Sequence, residues 1–153
     1  MVYHLYTDGA TSNNGYENSY GGWAWALVAN EKLLESASGG FAPTTNNICE
    51  LTGLIEGCKK ITPALEPFDI VLVHSDSAYA INCYKQGWYR SWQGNGWVNS
   101  KKQPVANQEL WEELIPFFDH PQFKFEKIAG HAGHKWNELV DRMAVEAKSK
   151  FAI

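Results

Sequence analysis

Residues 68–76 read FDIVLVHSD, a short apolar run rich in Val and Ile that closes on an aspartate. A run of this kind is expected for a strand covered on both faces, as in sheets where parallel strands carry helices. Upstream, ICELTGLIEGCKKI (48–61) repeats its apolar residues at helical spacing and is ended by Pro63. Ahead of it, Pro43-Thr44-Thr45-Asn46-Asn47 offers several N-cap candidates. Downstream, 77–86 suits a short helix, 88–93 another, and NQELWEELIPFF (107–118) an amphipathic one. QFKFEKI (122–128) alternates as a strand, and 137–150 forms a last helix. Toward the N-terminus, VYHLYTD (2–8) alternates and ends at the turn signal Asp8-Gly9. After the polar loop 11–22, WAWALVANEKLLESASGGF (23–41) reads as a hairpin about an Asn-Glu-Lys turn. Three strands, a helix, a strand, helices, a strand and a helix predict an α/β fold. The expected sheet is mixed and five-stranded, three antiparallel strands then two parallel, flanked by helices.

A chain of 153 residues is long enough for one domain with its own core, and one catalytic unit over 1–153 is expected. No apolar stretch reaches the roughly 20 residues of a membrane helix, so a membrane partner is not expected. The start, MVYHLYTDGA, lacks a basic segment followed by an apolar one, which argues against secretion and for the cytoplasm. Cys49, Cys58 and Cys83 are odd in number and form no CxxC pair, against a disulfide framework or a zinc knuckle.

The formal charge of −4 is unevenly spread. Between Asp76 and Glu109 there is no acidic residue, and Lys85, Arg90, Lys101 and Lys102 give that interval +4 while the rest carries −8. Tyr79, Tyr84, Trp88, Tyr89, Trp92 and Trp97 lie in the same interval. Basic groups among aromatics can neutralise phosphates and stack on sugars or bases. The spacing of the Trp residues describes a helical core stripe equally well.

Asp8 and Asp76 each stand at the predicted C-terminal end of a strand, where α/β sheets gather ligands and catalytic groups. A strand-end Asp is by itself also a turn former or an N-cap. Glu50 lies inside the helix 48–61, about 20° from Ile61 and about 40° from Leu54 around its axis, at the edge of the apolar arc. Gly53 and Gly57 on the adjoining stripe would let that helix approach something closely. Asp141, one turn after Asn137, flanks the apolar face of the last helix. Four converging carboxylates would repel one another unless cations neutralised them. Hard oxygen ligands favour two Mg²⁺ ions, with Mn²⁺ as the alternative, an arrangement suited to phosphodiester displacement.

With YTDGA (6–10), TTNNICEL (44–51), HSDSAYA (74–80), the Trp88, Trp92 and Trp97 region and GHAGHKWNELVD (130–141) in this order, the chain resembles the type 1 ribonuclease H domain over essentially its whole length. The resemblance implies an endonuclease that cuts the RNA strand of RNA/DNA hybrids with two Mg²⁺ ions, leaving 5′-phosphate and 3′-hydroxyl ends. It implies metal ligation by Asp8, Glu50, Asp76 and Asp141, with Asp8 bridging the ions, and a proton-handling or product-release role for His131. Asn14, Asn46 and Asn47 correspond to residues that touch the backbone and sugars of the hybrid, Thr45 to one that grips a DNA phosphate, and Trp88 to part of a handle on the DNA strand. His134 is expected to shape or cap its loop, and Trp92 and Trp97 to pack. The chain is expected to act as a monomer.

The handle departs from the family in Trp92-Gln93-Gly94-Asn95-Gly96-Trp97, where bacterial relatives often carry basic residues, and Ala78 replaces a longer side chain. The chain begins directly with the first strand, so no separate hybrid-binding domain is expected. Other readings are another nuclease or strand-transfer enzyme of the same fold, and a non-catalytic hybrid-binding module. All four carboxylates are present, against the last. A zinc site on His131 and His134 has no further ligand at helical spacing.

Overall fold

The computed structural model describes residues 1–128 and 134–152. Its central strand, β1 (Val2–Ser12), runs antiparallel to β2 (Tyr20–Ala29), which pairs antiparallel with the edge strand β3 (Lys32–Phe41). On its other side β1 pairs parallel with β4 (Ile70–Ser75), and β4 with β5 (Phe123–Lys127). The strand order is β3-β2-β1-β4-β5, the mixed sheet expected from the sequence. Among the described residues five α-helices join the sheet: α1 (Asn46–Ile61), α2 (Ala78–Gln86), α3 (Trp88–Asn95), α4 (Gln108–Phe118) and α5 (Lys135–Ser149). Among the described residues no helix is long and apolar enough to cross a membrane.

Side-chain alternation divides the core between the faces of the sheet. Leu5 and Trp25 join Leu51, Leu54 and Ile55 of α1, Val71 and Val73 of β4, and Trp111 and Leu114 of α4 in the larger cluster. Tyr6, Ala24, Ala26 and Val28 face the other way, onto Val140 and Ala144 of α5. Residues 5–8 of β1 are therefore buried on both sides.

Several boundaries differ from the sequence reading, each for a local reason. Asp8-Gly9 is not a turn: β1 continues to Ser12 because Asp8, Gly9 and Ala10 pair with Ala24, Trp23 and Gly22 of β2. β2 starts at Tyr20, inside the segment read as polar loop. The hairpin turn is Asn30-Glu31, both at positive φ (51° and 62°), the twist that a two-residue β-turn needs. β4 is fully buried only through Val71, Val73 and Ser75, and Ile70, Leu72 and His74 are half-covered, since α5 packs on β1, β2 and β3. α3 runs on to Asn95, and α5 begins at Lys135 rather than 137. Pro63 does end α1, by turning the chain into a short 3₁₀ turn at Thr62–Ala64.

Candidate active site

The parallel register puts Tyr6 opposite His74. Two residues further along the chain from each, Asp8 and Asp76 come together where the parallel pairing of β1 with β4 ends. Asp8 is held within β1, and Asp76 lies just beyond β4, before Ser77 caps α2 by accepting from Ala80 N.

Glu50 reaches them from α1. A Cβ on Gly9 would lie 2.8 Å from Glu50 N and 2.9 Å from the Cys49 carbonyl carbon, and one on Gly53 would lie 3.2 Å from the carbonyl oxygens of Asp8 and Ala24. Helix and strand therefore meet backbone to backbone, a contact that a side chain at Gly9 would prevent. The result is that Asp8, Glu50 and Asp76 offer carboxylate oxygens all within 4.8 Å of one another. α5 brings Asp141 to the flank, half-buried beside the fully buried Val140. Its approach depends on Gly22, where a Cβ would press on Ala144 O and Lys148 N.

Crowding and burial set the electrostatics. The Asp8 carboxyl is pushed up to about 8, first by burial and then by Asp76, against the Gly9 N–H that donates to its Oδ1 at 2.8 Å, with Asp141 adding to the rise. Glu50 is pushed up to about 9, by burial first and then by Asp8 and Asp76. Glu50 Oε2 is buried without a hydrogen-bond partner among the described residues. A buried acceptor left unpaired on one of three converging carboxylates fits a hard divalent cation.

The remaining expected site residues separate by position. Asn14 sits in the loop between β1 and β2, and its Oδ1 accepts from Asn46 N at 2.8 Å, so that oxygen is occupied within the protein. Thr45 is the N-cap of α1, its hydroxyl accepting from Ile48 N at 3.2 Å. Asn46 is exposed and Asn47 half-buried at the start of the same helix. Trp88 is 36% exposed and donates from Nε1 to Gln86, whereas Trp92 and Trp97 pack 5.9 Å apart against the main core. His131 lies outside the described residues. His134 occupies the N-cap position of α5 without a side-chain cap, and its ring lies 5.1 Å from that of Tyr6 instead.

Two features went unread in the sequence. Asp8-Gly9 reads as a turn signal, although a glycine after a strand aspartate also allows a backbone to pass. Ser19, buried in the loop before β2, accepts from Thr44 N at 2.8 Å and ties that loop to the approach to α1. Nothing in a run of small polar residues marks that pairing. On neighbouring β1 and β4, His4 Nδ1 and His74 Nε2 are 3.0 Å apart with ring planes 15° from parallel. Burial and then His4 lower His74 to about 4.

A family model described as RNase H matches residues 2–149. A protein named ribonuclease H from Syntrophomonas wolfei is 45% identical over 143 residues, covering 94% of this chain and 93% of that protein. Among solved structures, LC9-RNase H1, described as a type 1 RNase H with the type 2 active-site motif, superposes with a TM-score of 0.80 at 22% identity, over 97% of this chain and 72% of that one. A foamy viral protease-reverse transcriptase in complex with an RNA/DNA hybrid gives a TM-score of 0.80 at 19% identity, over 97% of this chain and 20% of that chain. At such identities the structural likeness speaks for the fold.

Proposed function

The chain belongs to the RNase H family, and on that premise we propose that it hydrolyses the RNA strand of RNA/DNA hybrids endonucleolytically, leaving 5′-phosphate and 3′-hydroxyl ends. The observation that carries the proposal is the convergence of Asp8, Glu50 and Asp76 within 4.8 Å, with one Glu50 oxygen buried and lacking a partner among the described residues. Asp8, Glu50, Asp76 and Asp141 would hold two Mg²⁺ ions, with Mn²⁺ as the alternative. When bound, such ions stabilise charge on the attacking and leaving oxygens of a phosphodiester displacement.

The chain's own groups do the rest. Asn46 and Asn47 at the start of α1 offer amides to the shallow minor groove, where a 2′-hydroxyl distinguishes RNA from DNA without any base being read. Asn14 keeps its amide donors for the same surface, since only its oxygen is committed to Asn46 N. Thr45 accepts with its hydroxyl oxygen and keeps the hydroxyl proton to donate to a phosphate. Trp88 offers an exposed ring to the DNA strand. His131 would carry a proton at the leaving side, a task suited to an imidazole. The reading takes the chain to be one catalytic domain acting as a monomer in the cytoplasm.

The test is cleavage of a labelled hybrid in Mg²⁺, with duplex DNA as the control. Wild type should cut only the RNA of the hybrid, and Asp8→Asn should lose at least about 100-fold in kcat, as expected when a charge-stabilising group is removed. Full activity in Asp8→Asn would reject the carboxylate assignment. His131→Ala should slow turnover while leaving Mg²⁺ binding by calorimetry unchanged, and loss of binding would make His131 a ligand.

A further inference from the structure

Tyr16 is 72% exposed, the most exposed tyrosine among the large hydrophobics left in solvent, on the loop between β1 and β2. The loop that carries it is closely braced. Tyr16 N donates to Asn13 O at 3.0 Å, Ser19 N donates to Tyr16 O at 3.1 Å, and Asn13, at φ 55°, reaches Asn18 O with its amide at 3.4 Å. Two further bonds tie the loop to the start of α1: Asn46 N to Asn14 Oδ1 and Thr44 N to Ser19 Oγ, both 2.8 Å. The second of these is buried, with Ser19 only 1% exposed. An aromatic ring is thus held out in water by a braced loop, two residues from Asn14, whose side-chain oxygen is bonded to Asn46 N.

Resting on the hybrid-cleaving reading above, we infer that Tyr16 is a further substrate-binding residue, its ring packing on ribose in the minor groove of the hybrid next to the contacts of Asn14 and Asn46. Three physical points favour a sugar contact. A hybrid of A-like shape presents a wide, shallow minor groove edged by riboses, open to a side chain from a loop. A tyrosine ring supplies contact area at little cost in side-chain freedom when its backbone is already fixed. The segment 12–20 contains Glu17 and no basic residue, so it cannot hold the strand by charge. Ser19 then acts as a positioning residue, because its hydroxyl fixes the loop to Thr44 without facing solvent.

Steady-state cleavage of a hybrid in Mg²⁺ tests this with three variants. Tyr16→Ala should raise KM at least about fivefold, near the low end of what a base stacked on an aromatic ring contributes. Its kcat should stay within about twofold of wild type, and its KM should respond to KCl as wild type does, since no charge is lost. Tyr16→Phe should match wild type, and Ser19→Ala should raise KM with kcat kept. A KM for Tyr16→Ala within twofold of wild type overturns the inference, and a Tyr16→Phe as weak as Tyr16→Ala overturns the ring contact in favour of the hydroxyl. Unchanged KM in Ser19→Ala overturns the brace. Failure of the wild-type chain to cut hybrid at all rejects the enzymatic reading itself, so the two failures are distinct.

Discussion

Gly9 shows how a single missing side chain organises the site. Its hydrogen stands where a methyl group would lie 2.8 Å from Glu50 N, so Gly9→Ala must push α1 away from β1. Overpacking of this kind costs about 1–3 kcal/mol. We expect Gly9→Ala to lose that much in chemical denaturation, and to lose more in hybrid cleavage than stability alone accounts for, since Glu50 moves with the helix. Wild-type stability in Gly9→Ala would mean that strand and helix are not in backbone contact. The sequence held a partial signal for this packing in Gly53 and Gly57, which do face β1 and β2. Gly9 itself was hidden because Asp-Gly is also a strong turn signal, and pairing with β2 decides between the two uses.

At the scale of elements, α1 with its N-cap carries Thr45, Asn46, Asn47 and Glu50, more expected site residues than any other element, and its start is fixed by one hydroxyl. Of the N-cap candidates within 43–47, Thr45 has the extended backbone (φ −127°, ψ 162°) and accepts from Ile48 N. Thr45→Ala should cost about 1 kcal/mol in unfolding free energy, the ordinary value of an N-cap. The comparison Thr45→Ser, which keeps the oxygen, should recover most of it, and equal losses in the two variants would show that the cap bond is not the cause. β4 illustrates the limit of pattern reading. Its apolar run predicts a strand covered on both faces, but a half-covered apolar residue is indistinguishable in sequence from one wholly buried. Only the placement of α5 over β1, β2 and β3 distinguishes them.

For the whole molecule, the buried carboxylates link stability to pH and to divalent ions. Asp8 and Glu50, raised to about 8 and about 9, hold protons in the folded state that the unfolded chain releases near its ordinary values of 3.8 and 4.5. Folding is therefore favoured most below those ordinary values, and that advantage is lost as pH climbs through the raised ones. In EDTA the melting midpoint should fall between about pH 5 and about pH 9. On the proposed metal assignment, Mg²⁺ held by the ionised folded site should raise the midpoint most at the alkaline end. Asp8→Asn should flatten the decline in EDTA. A midpoint in EDTA that rises across that range would contradict this account of the site.

By itself the amino-acid sequence determined the number, kind and order of the strands, the helices between them, and which carboxylates were worth following. These follow from residue-by-residue periodicity and turn chemistry, which are local. The tertiary structure alone decided that β1 runs on past Asp8, that Tyr6 pairs with His74 so that Asp8 and Asp76 stand level, and that Gly9 lets Glu50 join them. It also decided that the β1–β2 loop is pinned to the start of α1, with Tyr16 held outward. Each of these depends on strand register or on the distance between segments far apart in the chain, and neither quantity is carried by the spacing of residues along it.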